Sequence, residues 1–163
     1  VSVVDLFEAE HGVLLCAVDE IERMLDEGAP AAMIVGAVRA VQAALDPHRR
    51  AEEELLYSAL ARATGVDFPP LNVLEAEHDA LDADASSLAS GGFDATLARG
   101  FCARLRDHLE KEREVIFPLA VERLAPDALR ELARRRLARA RTRASSAAVP
   151  TPATRRTGVP PHA

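Results

Sequence analysis

Residues 6–14 read Leu-Phe-Glu-Ala-Glu-His-Gly-Val-Leu, and residues 73–81 read Val-Leu-Glu-Ala-Glu-His-Asp-Ala-Leu. Each copy is followed by a second histidine stretch. Residues 47–60 are PHRRAEEELLYSAL and residues 107–120 are DHLEKEREVIFPLA, so His11 is matched with His48 and Glu52, and His78 with His108 and Glu112. The copies are 67 residues apart at the first motif and 60 at the second, and they use four of the five histidines of the chain. A chance histidine seldom has such a twin, and the duplication points to a two-metal protein.

The residues around these motifs have helical periodicity. Val4, Phe7, His11, Leu14, Val18, Ile21 and Leu25 recur at steps of three and four, which predicts a helix over about 2–27 with one inward stripe. The break Glu27-Gly28-Ala29-Pro30 leads into a second helix over about 31–63. Its stripe reads Ile34, Val38, Val41, Leu45, His48, Glu52, Leu55, Ala59. Thr64-Gly65 closes it, and Pro69-Pro70 opens a third helix with Leu71, Leu74, His78, Leu81, Ala85 and Leu88, ended by Ser90-Gly91-Gly92. A fourth, over about 93–123, runs through Leu97, Phe101, Leu105, His108, Glu112, Val115 and Leu119. Asp46-Pro47 interrupts the second helix and predicts either a kink there or a fresh start capped by Asp46. In both cases His48 and Glu52 share one face of regular helix.

Four amphipathic helices on short linkers can bury their stripes only against one another. The expected fold is all-α: an antiparallel up-down-up-down four-helix bundle, with a short fifth helix over 126–144 carrying Leu129, Leu132 and Leu137. Composition agrees. At 163 residues and 17.5 kDa the chain is one domain in length, 48% hydrophobic, with 4% aromatics and no Trp, which favours helix over strand. The expected organisation is a metal-binding bundle at 1–125, a basic helix at 126–144 and a disordered Pro/Ser/Thr/Arg tail at 145–163, where His162 is given no role.

The net charge of −6 is unevenly distributed. Residues 1–125 hold 11 basic and 24 acidic side chains, whereas 126–163 hold 9 and 2. The arginines from Arg134 to Arg143 are read as a solvated helix face, with an acidic partner as the alternative; no recognition motif accompanies them and nucleic acid is not expected. Two cysteines, Cys16 and Cys102, no apolar leader and no run of roughly 20 apolar residues predict a soluble cytoplasmic protein away from the membrane.

Six ionisable side chains on core stripes would each forfeit water with nothing in return, at a cost of several kcal/mol if unpaired. A pair of cations compensates, because neutral imidazoles and carboxylates are ligands and His-x-x-x-Glu presents both to one point. The alternative, polar core residues satisfied by each other, does not account for the duplication. Symmetry suggests His11 and His48 on one metal, His78 and His108 on the other, and Glu52 and Glu112 bridging. Nitrogen and carboxylate ligation without thiolate favours iron, with manganese or zinc as substitutes.

These residues resemble the hemerythrin-like, HHE cation-binding domains, and the resemblance covers roughly Val3 to Leu124. It implies a non-haem di-iron centre with an oxo or hydroxo bridge inside a four-helix bundle, held by His11, His48, Glu52, His78, His108 and Glu112. Roles found in that family include oxygen carriage or sensing, iron handling, chemistry on nitric oxide or peroxide, and repair of iron centres. The chain departs from the oxygen carriers: Leu74 stands four before His78 where they have a histidine, and Glu112 where they have an aspartate. If each metal has two histidines, two bridging carboxylates and the oxo or hydroxo bridge, one position on each stays open, which suits peroxide chemistry or metal exchange better than reversible oxygen carriage.

Two function classes follow, with a small diatomic molecule or peroxide as partner. One is a module that binds, senses or stores; the other is a peroxidase or catalase-like enzyme. A third reading is a zinc-stabilised structural bundle whose basic tail docks a partner. Around the six, Asp82 is read as solvated or hydrogen-bonded sooner than as a ligand. Glu8, Glu10, Glu75 and Glu77 are read as exposed, with orientation of the imidazoles as the alternative. Tyr57, opposite Phe117 in the repeat, is read as a packing aromatic, and the cysteines as small buried hydrophobes.

Overall fold

Ser2 opens the first helix with a reciprocal cap: its hydroxyl accepts the Asp5 amide while the Asp5 carboxylate accepts the Ser2 amide. A computed structural model describes residues 1–65 and 68–147, with side chains as far as Thr142, and shows no strand among them. Helix α1 is Val3–Asp26. Helix α2, Ala31–Ala51, passes without interruption through a π turn, Glu52–Tyr57, into α3, Ser58–Thr64. Helix α4 is Pro69–Ser90. Helix α5, Ala95–Lys111, likewise continues through a π turn, Glu112–Ile116, into α6, Phe117–Arg123, and α7 is Pro126–Ala147.

The connections are built from the residues that suit them. Gly28, Gly65 and Gly92 follow the three helix ends with φ of 67°, 97° and 88°, a backbone region that side chains disfavour. Pro30 precedes α2, Pro69 is the first residue of α4, and the Asp94 carboxylate accepts the Thr96 and Leu97 amides at the start of α5.

Helix α1 packs on α2, α2 on α4, α4 on α5 and α5 on α1, closing a ring of four rods, while α7 lies against α1 and the first π turn. The apolar core is split in two. One cluster holds Phe7, Leu55, Leu56, Leu60, Leu71, Leu74, Ile116 and Phe117; the other holds Leu14, Val18, Ile21, Val38, Leu45, Leu81, Phe101 and Leu105. Between them, at one depth, lie the buried histidines and glutamates.

The stripes of α1, α2 and α4 are buried as periodicity predicts, except for a half-buried Leu25 near the end of α1, but beyond the two glutamates the pattern shifts by one residue. Val115 is 49% exposed and Ile116 takes the core position. Leu119 and Ala59 are half-buried, and Ala120 and Leu60 are buried in their place. The π turns cause this, because each inserts one extra residue per turn and rotates everything after it. Pro47 sits inside a continuous α2, so no new helix starts at Asp46. In α7 the buried stripe is Leu129, Leu132, Ala133 and Arg136, with Leu137 exposed, and the helix runs three residues past the expected end. Residues 148–163, with His162 and most of the expected disordered tail, lie outside the described residues.

The π shift makes a direct prediction. Ile116→Ala should cost about 2–5 kcal/mol in urea unfolding, as for other buried aliphatic truncations. Val115→Lys should change stability by no more than about 0.5 kcal/mol, as befits an exposed position.

Candidate metal centre

Six side chains from the four rods meet in one layer. Helix α1 supplies His11, α2 His48, the first π turn Glu52, α4 His78, α5 His108 and the second π turn Glu112. His11 is 4% exposed and the other five 1% or less. His11 Nε2 lies 3.1 Å from His48 Nε2, 3.4 Å from Glu52 Oε1 and 3.2 Å from Glu112 Oε2. His48 Nε2 is 3.0 Å from Glu52 Oε1, His78 Nε2 is 3.7 Å from Glu52 Oε2, and His108 Nε2 is 3.5 Å from Glu112 Oε2. The atoms fall into two overlapping groups able to hold a cation, His11-His48-Glu52-Glu112 and Glu52-His78-His108-Glu112, which share both glutamates.

The layer is not satisfied by its own hydrogen bonds. Glu52 Oε2, Glu112 Oε2, His78 Nε2 and His108 Nε2 are fully buried and make no well-formed hydrogen bond. Each such orphan costs about 1–3 kcal/mol or more, and ionised groups cost the most. A cation answers all four, since two ligands each about 2.1 Å from a metal and at right angles lie roughly 3.0 Å apart. The observed separations of 3.0–3.7 Å match ligands converging on a shared centre. The donor set of imidazole nitrogens and carboxylate oxygens fits a divalent transition metal.

Three of the imidazoles are braced from outside. His48 Nδ1 donates to Glu10 Oε2 at 2.7 Å, His78 Nδ1 to Glu53 Oε1 at 2.8 Å, and His108 Nδ1 to Glu77 Oε2 at 3.0 Å. Placing the proton on Nδ1 turns the Nε2 lone pair into the layer. Each brace meets a cation in turn: Arg136 pairs with Glu10 at 2.9 Å, Lys111 with Glu77, and Arg49 with Glu53 at 3.9 Å. Glu10 and Glu77 thus orient imidazoles, whereas Glu8 and Glu75 are exposed. Glu53 was not legible, standing in a run of three glutamates with nothing in the pattern to single it out. Asp82 pairs with Arg49 at 3.0 Å and is not a member of either group.

Tyr57 does more than pack. Its hydroxyl donates to Glu112 Oε1, and its ring stacks parallel to His78 with centroids 6.2 Å apart. In the other copy Phe117 lies 5.1 Å from His11 and offers no hydroxyl. Nothing in the repeat foretold this contact, because it crosses from one copy to the other. Cys102 is buried, which pushes its thiol up to about 11, but Cys16 is exposed on α1, against the expectation that both are core residues. Of the arginine cluster, Arg134 and Arg135 are exposed, while Arg136 and Arg139 turn back to Glu10 and Glu54 of the same chain.

Electrostatics follow from this packing. Burial opposes a charge on His48, but Glu52 and Glu10 outweigh it and push its pKa up to about 10. Burial also opposes a charge on His11, yet Glu112 and Glu52 raise it. Burial and the neighbouring His108 lower His78. Burial works to raise Glu52, but His48 and His11 hold it well below the usual carboxylate range. Without a cation, the proton on His48 is counter-charge for the glutamates, and His11 is shifted in the same direction.

An all-helical protein with a buried, duplicated His/Glu layer is one built to hold cations. Residues 2–120 match the family described as the Hemerythrin HHE cation binding domain, and the chain belongs to that family and carries a metal-binding site. Helix α7 lies beyond the matched region. Neither a curated protein nor a solved structure gives a significant match. Among the described residues no helix is long and apolar enough to cross a membrane.

The metal-free protein should show a signed pH dependence. Its His48 is raised from 6.5 to about 10, so the associated stability is present below pH 6.5 and is lost as pH rises toward about 10. The depressed Glu52 acts in the opposite direction and destabilises as pH falls below about 4.5. Thermal unfolding of chelated protein should therefore give a midpoint that declines on both sides of this window, and a flat profile from pH 6.5 to 10 contradicts the assignment.

Proposed function

We propose that the protein is a non-haem di-iron protein that binds, senses or stores, acting on oxygen, peroxide, nitric oxide or iron itself. The observation that carries it is the pair of overlapping four-residue groups sharing Glu52 and Glu112, with four of their buried atoms left without a hydrogen bond. In this reading His11 and His48 would hold one iron and His78 and His108 the other, with Glu52 and Glu112 shared between them. The ring of contacts among the four rods and their short connections support an antiparallel up-down-up-down order. The two free cysteines support a reducing, cytoplasmic setting.

Bound iron would supply redox chemistry and a place for a small ligand to bind. The chain's own part is to hold the layer dry and fixed. Glu10, Glu53 and Glu77 keep protons on Nδ1 of their histidines and aim Nε2 inward. Tyr57 ties down one oxygen of Glu112 and leaves Oε2 facing His11 and His108. Two donor groups of imidazole and carboxylate that share both glutamates support iron, with manganese or zinc as substitutes.

Elemental analysis and an optical spectrum of freshly isolated protein test the reading, with two irons per chain expected and one zinc or none contradicting it. Iron-loaded protein given peroxide should change its spectrum without sustained oxygen release at an oxygen electrode; continued release assigns it to the catalase-like class instead. His48→Ala or Glu112→Ala should lower metal content and melting temperature together, while Arg135→Ala changes neither. Glu77→Gln should weaken metal affinity by about 10–100-fold, as loss of an imidazole's carboxylate partner does elsewhere.

A further inference from the structure

His11 is the one imidazole of the layer without an external brace. Among the described residues no carboxylate is recorded at its Nδ1, and its polar contacts all lie on the inward Nε2. It is also the most exposed of the six, at 4%, and forms part of the wall of a surface pocket of about 410 Å³. A smaller pocket of about 240 Å³ reaches His48, but the ion pair of Glu10 with Arg136 stands in it.

Gly12, beside His11, helps to form the larger pocket. It lies within α1, where glycine costs about 1 kcal/mol relative to alanine. Neither backbone nor packing requires it: its φ is not positive, and a Cβ there meets nothing within 4 Å. What glycine leaves at this position is open space in the wall of the pocket that His11 also lines. Around the mouth stand Glu8, Glu110, Arg106 and Arg113. Arg106 is already engaged by Asp19 and by Glu22 at 2.6 Å, which leaves Glu8 and Glu110 against Arg113 alone, an excess of negative charge that attracts a cation.

We propose that this pocket is the loading port of the metal centre: Glu8 and Glu110 draw a divalent cation in over Gly12, and the unbraced His11 takes it first and delivers it to His48 and Glu52. The inference rests on the reading above that the layer holds metal. The braced histidines stay fixed, which makes His11 the ligand free to turn outward and back.

Stopped-flow mixing of the metal-free protein with cobalt(II), followed by the visible absorption of the bound ion, tests it. Gly12→Leu, which fits the open space, should slow uptake by about tenfold or more, because a filled port opens only as the bundle breathes. The final cobalt content should equal the parent's. Gly36→Leu, at another exposed helical glycine with room for a side chain, should load at the parent's rate. Glu8→Gln with Glu110→Gln should slow uptake and flatten its dependence on ionic strength. Uptake by Gly12→Leu within about twofold of the parent, a difference too small for a gated path, overturns the port and leaves the metal centre standing. No uptake by the parent overturns both.

Discussion

Two carboxylates buried at the centre of an apolar bundle need positive charge beside them, and most of this structure can be read as a response to that need. Taking an ion from water into a protein interior costs several kcal/mol even after relaxation, and the cost is recovered only with close, well-oriented counter-charge. Among the described residues no lysine or arginine pairs with Glu52 or Glu112; what faces them is imidazole, with the Tyr57 hydroxyl on Glu112. Imidazoles can answer with protons or, far more effectively, by sharing a metal ion with the carboxylates. The division of the hydrophobic core into clusters above and below this layer confines the polar groups to one plane.

The periodicity made much of this legible. The stripes of α1, α2 and α4 were readable residue by residue because α-helical spacing holds along them, and the duplication of the histidine motifs marked the six polar positions. Val115 and Ile116 show where the reading stopped. A π turn leaves no composition signal, yet its extra residue exchanged their places in and out of the core. Glu53 and Tyr57 were hidden for another reason: each acts on a side chain from a distant helix, His78 and Glu112, and such contacts depend on how the rods are rotated against each other. Arg136 was hidden by its neighbours, three arginines in a row of which only one turns inward to Glu10.

The repeat is symmetric in its ligands and asymmetric around them. Both π turns begin at a glutamate of the layer, so the same local departure from α-helix was kept in both copies. The outer residues differ. His48 is braced through Glu10 to Arg136 on α7, a helix beyond the family-matched region, whereas His108 is braced through Glu77 to Lys111 within the bundle. Tyr57 holds Glu112, and Phe117 holds nothing in return. Two cations bound here would therefore experience different surroundings, one near the surface at His11 and the other enclosed beside Tyr57 and His78.

Anomalous diffraction at the iron edge from crystals of the iron-loaded protein bears most directly on the claim that cations hold this layer together. The account predicts two peaks, one among His11, His48, Glu52 and Glu112 and one among Glu52, His78, His108 and Glu112. A layer with no peak, its imidazoles and carboxylates bonded only to one another, contradicts it.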